Sequence, residues 1–236
     1  MTQEQPKPKE LDLSSIKYVI SDWDGTLVDS MPTYTAAYSK LMKERFEVDE
    51  VESRQYYLST AGTVLTNQIK EGARNFAHQQ IEDTLELENQ FWSFQIGSKP
   101  PEVIEGAEDV LQNLRQLGLT IVVWSGTRTD VLRSAIRDTG LGNYISFAIG
   151  NEPGSETKVK GRGLLEDVAR NLQVPAAILP GQSIVIGDGV GDIRAGKEIN
   201  CPTVGILKTQ PREKLEAEGA DFIVAKISDL PALLKK

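Results

Sequence analysis

The stretch YVISDWDGTLVDS, residues 18–30, runs from an apolar segment into two aspartates, Asp22 and Asp24, with one residue between them. The uninterrupted apolar run before Asp22 is typical of a strand that is buried on both faces of a sheet. Gly25 follows directly and permits a tight turn, so we expect the chain to leave the strand at this point. Two like charges at the end of a buried strand repel each other, and this raises the question of what compensates them.

The overall composition limits what the protein can bind. The chain has 236 residues, of which 39% are apolar and 25% are charged, and its formal net charge is −8. An acidic protein offers no basic face to nucleic acid or anionic lipid, so we expect neither as a partner. No apolar run approaches the roughly 18 residues of a membrane helix, and the single cysteine, Cys201, cannot form an internal disulfide. We therefore expect a cytoplasmic protein.

The apolar runs alternate with helical patterns along most of the chain. Strand-like runs occur at residues 16–21, 119–124, 145–150, 183–187, 203–207 and 221–225. Amphipathic helical patterns lie between them at residues 106–118, 128–140, 161–173 and 190–199. This β–α alternation predicts an α/β fold with a doubly wound, Rossmann-like parallel sheet covered by helices on both faces.

One interval departs from this alternation. Residues 32–100 contain no strand-like run and read as several amphipathic helices, with linker-like sequence at both ends. We therefore expect a flexible N-terminal tail over residues 1–15, an α/β core built from 16–31 and 101–236, and a helical insert over 32–100.

Acidic side chains stand at several predicted strand ends. Asp22 and Asp24 follow the first strand, and GDGVGD, residues 187–192, places Asp188 and Asp192 after another. Ligand sites of open α/β sheets lie beyond the carboxyl ends of the strands, so we expect these acids to converge there. A divalent cation would compensate their repulsion, and oxygen ligands without histidine or thiolate favour Mg²⁺. The alternative is that each aspartate only caps the helix that follows it.

Two nucleotide-binding patterns are incomplete in this sequence. Residues 191–197 match G-x-x-x-x-G-K, but Glu198 stands where a P-loop needs a hydroxyl side chain as a metal ligand. GDGVGD resembles a dinucleotide loop, but Asp188 would face the pyrophosphate. Neither pattern therefore predicts a nucleotide site.

Four motifs in order, DWDGTLVDS, the strand ending in Ser125, a lysine before GRGLLEDVARNL, and GDGVGD, resemble those of the haloacid dehalogenase-like hydrolases. The resemblance covers nearly the whole chain from about Ile16. The helical insert after the first motif resembles the cap of the phosphoglycolate-phosphatase-like branch. Two departures stand out, since Gly126 replaces the asparagine that usually follows Ser125, and the lysine motif lacks its usual proline.

The resemblance implies a role for each motif residue. Asp22 would be the nucleophile that forms an aspartyl-phosphate, and Asp24 the general acid and base. Mg²⁺ would be held by the Asp22 carboxylate, the Asp24 main-chain oxygen and Asp188. Ser125 and the Gly126 amide would donate hydrogen bonds to the phosphoryl oxygens.

The remaining site residues are assigned on the same basis. The Trp23 amide would contact the phosphate, and we expect its side chain to pack in the core, with a position facing the cap as the alternative. Asp192 would orient the site lysine. We expect that lysine to be Lys160, with Lys158 as the alternative. Thr63 lies where the resemblance places the specificity loop of the cap, as a substrate-binding candidate.

Hydrolysis of a small phosphorylated metabolite, of the phosphoglycolate or sugar-phosphate type, is the predicted function, with Mg²⁺ as cofactor and a monomer or homodimer as the active form. A phosphomutase on the same fold is the nearest alternative, although Thr26 after D-x-D-G favours a phosphatase. A non-enzymatic interaction scaffold is the other alternative. Arg54 and Arg74 are candidates to meet an anionic substrate tail.

Overall fold

The computed structural model describes residues 11–60, 63–95, 99–152 and 160–235. The strands are β1 Leu11–Asp12, β2 Tyr18–Ser21, β3 Val28–Asp29, β4 Glu102–Val103, β5 Thr120–Arg128, β6 Phe147–Asn151, β7 Ser183–Gly187, β8 Thr203–Ile206, β9 Phe222–Val224 and β10 Leu234–Lys235. The α-helices are α1 Met31–Phe46, α2 Glu50–Ser59, α3 Leu65–Ala77, α4 Leu85–Ser93, α5 Ala107–Gln116, α6 Thr129–Asp138, α7 Arg162–Leu172, α8 Leu179–Gln182, α9 Val190–Glu198, α10 Arg212–Ala217 and α11 Leu230–Leu233. Short 3₁₀ helices lie at Leu141–Asn143, Ala176–Ile178 and Ile227–Asp229.

The central sheet has six parallel strands in the order β6-β5-β2-β7-β8-β9. The six predicted strands and the doubly wound α/β class are thereby confirmed. Successive residues of β2 enter different hydrophobic clusters, since Val19 packs on one face and Ile20 on the other. Burial of both faces explains why these strands are continuous apolar runs in the sequence.

The helices α1 to α4 follow β2 and bury a hydrophobic cluster of their own. Tyr34, Tyr38, Leu41, Phe91 and Trp92 are among its buried members. The chain enters this insert beside the point where it leaves, because β3 and β4 pair antiparallel. The two connections between the insert and the sheet therefore lie side by side.

The N-terminal segment is ordered further upstream than expected. Residues 1–15 were predicted to form a tail, but β1 pairs in parallel with β10 and Leu13 is buried in the core. The pairing partner lies at the other end of the chain, so a local pattern cannot predict it. Residues 1–10 lie outside the described part of the chain. No helix of the described residues has both the length and the apolar character that a membrane span requires.

Candidate active site

The site lies at the carboxyl end of β2, where the strand order reverses. From β2 the chain first builds β5 and β6 on one side and then returns to β7 on the other. Crevices of open α/β sheets form at such switch points. Asp22 directly follows β2, Asp188 directly follows β7, and Ser125 lies within β5. The structure therefore brings these three residues to one edge of the sheet.

The chain turns sharply after Asp22, as Gly25 predicts. The Trp23 carbonyl accepts hydrogen bonds from the Leu27 amide at 2.9 Å and from the Val28 amide at 3.1 Å. Gly25 has a φ of +82°, which glycine adopts without strain. A side chain at this position would also overlap the Asp188 carboxylate. Glycine is therefore required by the turn and by the close approach of Asp188.

Three buried carboxylates converge beside this turn. Asp22, Asp188 and Asp192 each offer an oxygen atom, and these atoms all lie within 4.8 Å of one another. The ammonium group of Lys160 lies between two of them and donates to Asp22 Oδ1 at 2.6 Å and to Asp192 Oδ1 at 2.8 Å. The second oxygen of Asp192 accepts from the Gly189 amide at 3.0 Å. One lysine thus neutralises only part of a buried negative cluster.

The electrostatics of the cluster reflect this imbalance. Burial, together with the negative charge of Asp192, raises the pKa of Asp22 well above its usual range, and Lys160 opposes this. Burial also raises the pKa of Asp188 to about 6, and Asp192 adds to the effect. Burial by itself lowers the pKa of Lys160, but the carboxylates of Asp192 and Asp22 outweigh it and the net shift is upward. A further cation would relieve this repulsion.

The donor set of the cluster fits Mg²⁺. Hard carboxylate oxygens suit Mg²⁺. Asp22 and Asp188, both predicted as ligands, lie in the cluster, whereas the Asp24 carboxylate does not. Asp24 was predicted to bind the metal through its main-chain oxygen and not through its carboxylate. Asp192 accepts a hydrogen bond from Lys160, and it also lies close enough to Asp22 and Asp188 to be a candidate ligand.

The Asp24 carboxylate is held by three hydroxyl groups. Ser30 donates to Oδ1 at 2.6 Å, while Ser125 at 2.7 Å and Thr127 at 2.6 Å both donate to Oδ2. Ser125 was expected to donate to a phosphoryl oxygen, but in this structure its hydroxyl is bound to Asp24. Ser30 stands at the N-cap of α1 without capping it through its side chain. The carboxylate of Asp24 is therefore fixed in one position.

The described ones among the other predicted site residues, Trp23, Gly126 and Thr63, lie either in the core or along the cavity. The Trp23 side chain is fully buried in the core, as predicted, and its amide donates to Asp22 Oδ1 at 2.7 Å. Gly126 and Thr63 both line the cavity above the carboxylates, although the Thr63 hydroxyl donates to the Thr60 carbonyl at 2.7 Å. Lys158 lies outside the described residues, so the choice of Lys160 stays a prediction that the contacts of Lys160 support.

A family model for the haloacid dehalogenase-like hydrolases matches residues 16–200. The chain belongs to the haloacid dehalogenase-like hydrolases. This hydrolase is 24% identical over 223 residues to phosphoglycolate phosphatase of Pseudomonas putida, a match that covers 92% of this chain and 78% of the relative. It is also 24% identical over 223 residues to pyrophosphatase PpaX of Listeria innocua, with 93% and 97% covered. The prediction of a phosphatase-class enzyme is thereby confirmed.

Solved structures share the fold of this hydrolase. A predicted phosphatase from Clostridium acetobutylicum superposes with a TM-score of 0.79 at 20% identity, over 92% of this chain and 97% of that one. A predicted phosphoglycolate phosphatase from Haemophilus somnus superposes with a TM-score of 0.77 at 17% identity, over 95% and 100%. At such identities the likeness establishes the fold alone.

The site of the hydrolase also contains contacts that the sequence motifs did not reveal. Thr26 donates to Asp188 Oδ1 at 3.1 Å, and Thr209 donates to the other oxygen of the same carboxylate. Tyr34, on α1, hydrogen-bonds through its hydroxyl to the hydroxyl of Thr127 at 2.9 Å. Thr209 follows β8 at the same sheet edge. Its position shortly after a predicted strand could have identified it as a candidate site residue.

A cavity of about 430 Å³ connects the carboxylate cluster with the helical insert of the hydrolase. Its lower wall comes from the sheet edge and includes Asp22, Asp24 and Lys160. Neither Arg54 nor Arg74, the two expected contacts of an anionic substrate tail, is part of the described wall. Arg54 instead lies 3.8 Å from Glu50 on the surface.

Proposed function

We propose that this hydrolase is a Mg²⁺-dependent phosphatase that cleaves small phosphomonoesters through an aspartyl-phosphate on Asp22. The observation that carries the proposal is the buried cluster of Asp22, Asp188 and Asp192 with the Lys160 ammonium 2.6 Å from Asp22 Oδ1. A carboxylate nucleophile and a phosphate dianion repel each other unless cations surround both. The cluster supplies one cation and the oxygen ligands for another.

In this proposal the residues divide the reaction between them. The Asp22 carboxylate attacks phosphorus, and the bond from phosphorus to the leaving oxygen breaks while Asp24 protonates that oxygen. Asp24 then takes a proton from the water that attacks the aspartyl-phosphate, which releases phosphate and restores Asp22. Lys160 and the main-chain amides of Trp23 and Gly126 bind the phosphoryl oxygens.

Asp22, Asp188 and the main-chain oxygen of Asp24 would hold the Mg²⁺. The bound ion supplies positive charge that reduces the repulsion between the Asp22 carboxylate and the phosphate. Asp192 keeps Lys160 in place beside the nucleophile. The three hydroxyls around Asp24 keep the proton donor beside the cavity, so both aspartates face the same bound ester.

The helical insert, residues 32–100, acts in this proposal as a cap that covers the cavity during turnover. The enzyme works in the cytoplasm as a monomer or homodimer on a free metabolite, without nucleic acid or membrane as partner. The net charge of −8 supports this choice of partners. The names of the curated relatives support phosphoglycolate or another small phosphate ester as a first substrate to assay.

A direct test measures phosphoenzyme formation. Wild-type protein is mixed with p-nitrophenyl phosphate and Mg²⁺, quenched in acid, and the peptide containing Asp22 is analysed by mass spectrometry for an added phosphoryl group. Asp22→Asn should lose both this adduct and turnover, because an amide is a poor nucleophile. Asp29→Asn is the matched control, since Asp29 lies in the same segment but pairs with Lys208. Near-normal turnover by Asp22→Asn would reject the covalent mechanism.

The same assay separates the alternative functions. A phosphomutase would return the phosphoryl group to a sugar phosphate and release little inorganic phosphate. An interaction scaffold would form no adduct with or without Mg²⁺. Release of inorganic phosphate that stops on addition of EDTA is the result expected for the phosphatase.

A further inference from the structure

The cavity above the carboxylate cluster has two chemically different walls. The sheet edge contributes charged groups, whereas the helical insert contributes mainly apolar and aromatic ones. The apolar members of this wall are Met31, Tyr34, Tyr57, Val64, Leu65, Phe91 and Trp92, and Thr63 and Gln68 are its uncharged polar members. A phosphate bound at Asp22 would direct the rest of its ester toward this wall, so the wall decides which leaving groups fit.

The aromatic part of the wall is tightly packed. Phe91 and Trp92 meet edge to face with ring centroids 4.8 Å apart, and Tyr34 meets Trp92 edge to face at 5.6 Å. Tyr57 packs against Phe91 with centroids 6.3 Å apart. All four side chains are at most 8% exposed. Such mutually packed rings form a preformed apolar surface rather than a flexible one.

The tyrosine hydroxyl groups of the wall carry no charge. The Tyr34 hydroxyl is engaged by Thr127. Burial and the nearby charge of Asp24 raise the pKa values of both Tyr34 and Tyr57 above the usual range, so both phenols stay neutral. The wall therefore offers apolar contact and neutral hydroxyls.

Positive charge is scarce in the described part of the cavity lining. Among the described lining residues the cations are Lys160 and Arg194. Lys160 is held between Asp22 and Asp192, and Arg194 donates from two nitrogen atoms to Glu218. The described part of the insert contributes no lysine or arginine to the lining, and residues 61–62 and 96–98 are uncharged in the sequence.

Among the described lining residues, a second anionic group on the substrate would find no free counter-charge. A carboxylate on the leaving group would lose its water against Tyr57, Phe91 and Trp92 without gaining an ion pair. Burial of an unpaired charge is strongly unfavourable, whereas burial of an apolar ring gains free energy. The charge distribution thus disfavours leaving groups such as glycolate and favours uncharged apolar ones.

We infer that the preferred substrates are phosphomonoesters whose leaving group is an uncharged, apolar ring or a group of similar size. This inference rests on the proposed phosphatase function and specifies its substrate class. A cavity of about 430 Å³ is large enough for a ring beside the phosphate. The enzyme then differs in substrate from the phosphoglycolate phosphatases to which it is similar.

The test compares two esters that differ in one charge. Phenyl phosphate and 4-carboxyphenyl phosphate are hydrolysed with saturating Mg²⁺, and kcat/KM is measured for each, with 2-phosphoglycolate and glucose 6-phosphate as further substrates. We expect phenyl phosphate to be preferred over its carboxylate analogue by about tenfold or more, the effect of one poorly compensated charge. We also expect 2-phosphoglycolate and glucose 6-phosphate to be poorer substrates than phenyl phosphate.

A pair of variants tests whether the wall causes the preference. Leu65 is the first residue of α3 and lines the cavity, whereas Leu85 is the first residue of α4, 42% exposed and absent from the described lining. Leu65→Arg should reduce the preference for phenyl over 4-carboxyphenyl phosphate about tenfold, because it supplies the missing cation. Leu85→Arg should leave the ratio unchanged.

The outcomes separate this inference from the proposed function. Equal or reversed preference between the two phenyl esters, or a higher kcat/KM for 2-phosphoglycolate or glucose 6-phosphate than for phenyl phosphate, overturns the inference but leaves the phosphatase in place. An unchanged ratio in a folded Leu65→Arg variant overturns the role of the wall. Absence of Mg²⁺-dependent hydrolysis of all four esters rejects the proposed function and the inference together.

Discussion

The hydroxyl oxygen of Tyr34, on the first helix of the insert, lies 2.9 Å from the hydroxyl oxygen of Thr127, on the sheet. Thr127 in turn donates to Asp24 Oδ2 at 2.6 Å. The proposed proton donor is therefore linked by two hydrogen bonds to the insert that lines the cavity. This link fixes the direction of the Thr127 hydroxyl, since Thr127 uses its single proton for Asp24 and Tyr34 donates its own proton to Thr127.

Tyr34→Phe should lower kcat about three- to tenfold with little change in KM. The ring and its apolar contacts are retained, whereas the hydrogen bond that orients Thr127 is lost, and one such bond is typically worth about 0.5–1.5 kcal/mol. The matched control is Tyr38→Phe, because the Tyr38 hydroxyl donates to the Gln68 carbonyl within the insert. Steady-state kinetics of both variants test this prediction, and an equal loss of kcat in Tyr38→Phe would show that the effect does not depend on the hydrogen bond to Thr127.

Lys160→Ala should reduce kcat about 10²–10³-fold, the usual effect of removing one donor that stabilises a transition state. It should also lower the melting temperature in metal-free buffer, because Asp22 and Asp192 lose their shared counter-ion. Lys197→Ala is the control. The Lys197 ammonium group lies 2.7 Å from an Asp221 carboxylate oxygen, and Lys197 is not among the described lining residues of the cavity. A crippled Lys158→Ala beside a nearly normal Lys160→Ala would transfer the catalytic assignment to Lys158.

Gly25→Ala should abolish most of the activity and weaken Mg²⁺ binding, because the added methyl group displaces the Asp188 carboxylate. Gly118→Ala separates this overlap from backbone strain. Gly118 has the same φ of +82°, but no described atom lies within 4 Å of the position its side chain would occupy. Both variants should lose about 1 kcal/mol of stability from the strained backbone, and only Gly25→Ala should bind Mg²⁺ more weakly in calorimetric titration. Unaltered Mg²⁺ affinity of Gly25→Ala would contradict the placement of Asp188 beside the metal.

The stability of the metal-free protein should fall as the pH rises. Burial raises the folded-state pKa of Asp188 to about 6, from 3.8 for an unperturbed carboxyl, and burial also raises the pKa of Asp22. A raised carboxyl pKa means that the folded state holds its proton more tightly than the unfolded state. The stabilisation is complete below about pH 4 and is lost as the pH rises through about 6.

Mg²⁺ should therefore raise the melting temperature more at pH 8 than at pH 5. At pH 8 the carboxylates are ionised and bind the cation, whereas at pH 5 protons compete with it. At about a hundred times its dissociation constant, Mg²⁺ should add about 2.7 kcal/mol to the free energy of unfolding. Thermal denaturation with Mg²⁺ or EDTA measures this gain, and Asp188→Asn should lose it. A Mg²⁺ effect that is equal at both pH values and survives Asp188→Asn would contradict the assignment.

The sheet and the position of the site were predictable because their signals are local. A strand covered on both faces is apolar along most of its length, and each of the six runs can be recognised in the sequence by this feature. The motif aspartates Asp22, Asp24 and Asp188 follow such runs, and parallel strands bring their carboxyl ends to one edge. The short pairs β1–β10 and β3–β4 were not predicted, because two-residue strands have no detectable periodicity.

The partners of each carboxylate were beyond local prediction. Thr26 and Asp188 are 162 positions apart in the chain, and Ser125 and Asp24 are 101 apart. Whether the Ser125 hydroxyl meets a ligand or a neighbouring carboxylate depends on how closely β5 approaches the turn after β2, and here it lies 2.7 Å from Asp24 Oδ2. Hydroxyl side chains are too common in a sequence for such partners to be recognised by their type.

The sequence by itself determined that this chain folds as a doubly wound α/β protein with aspartates at its strand ends, because hydrophobic patterning and glycine placement act over a few residues. Only the tertiary structure decided that Lys160 lies between Asp22 and Asp192, and that an aromatic wall without lysine or arginine in its described part faces them. In the sequence, the residues of that wall are ordinary apolar helix positions. Their meeting with the carboxylates depends on how the insert packs over the sheet, which is settled by contacts between segments far apart in the chain.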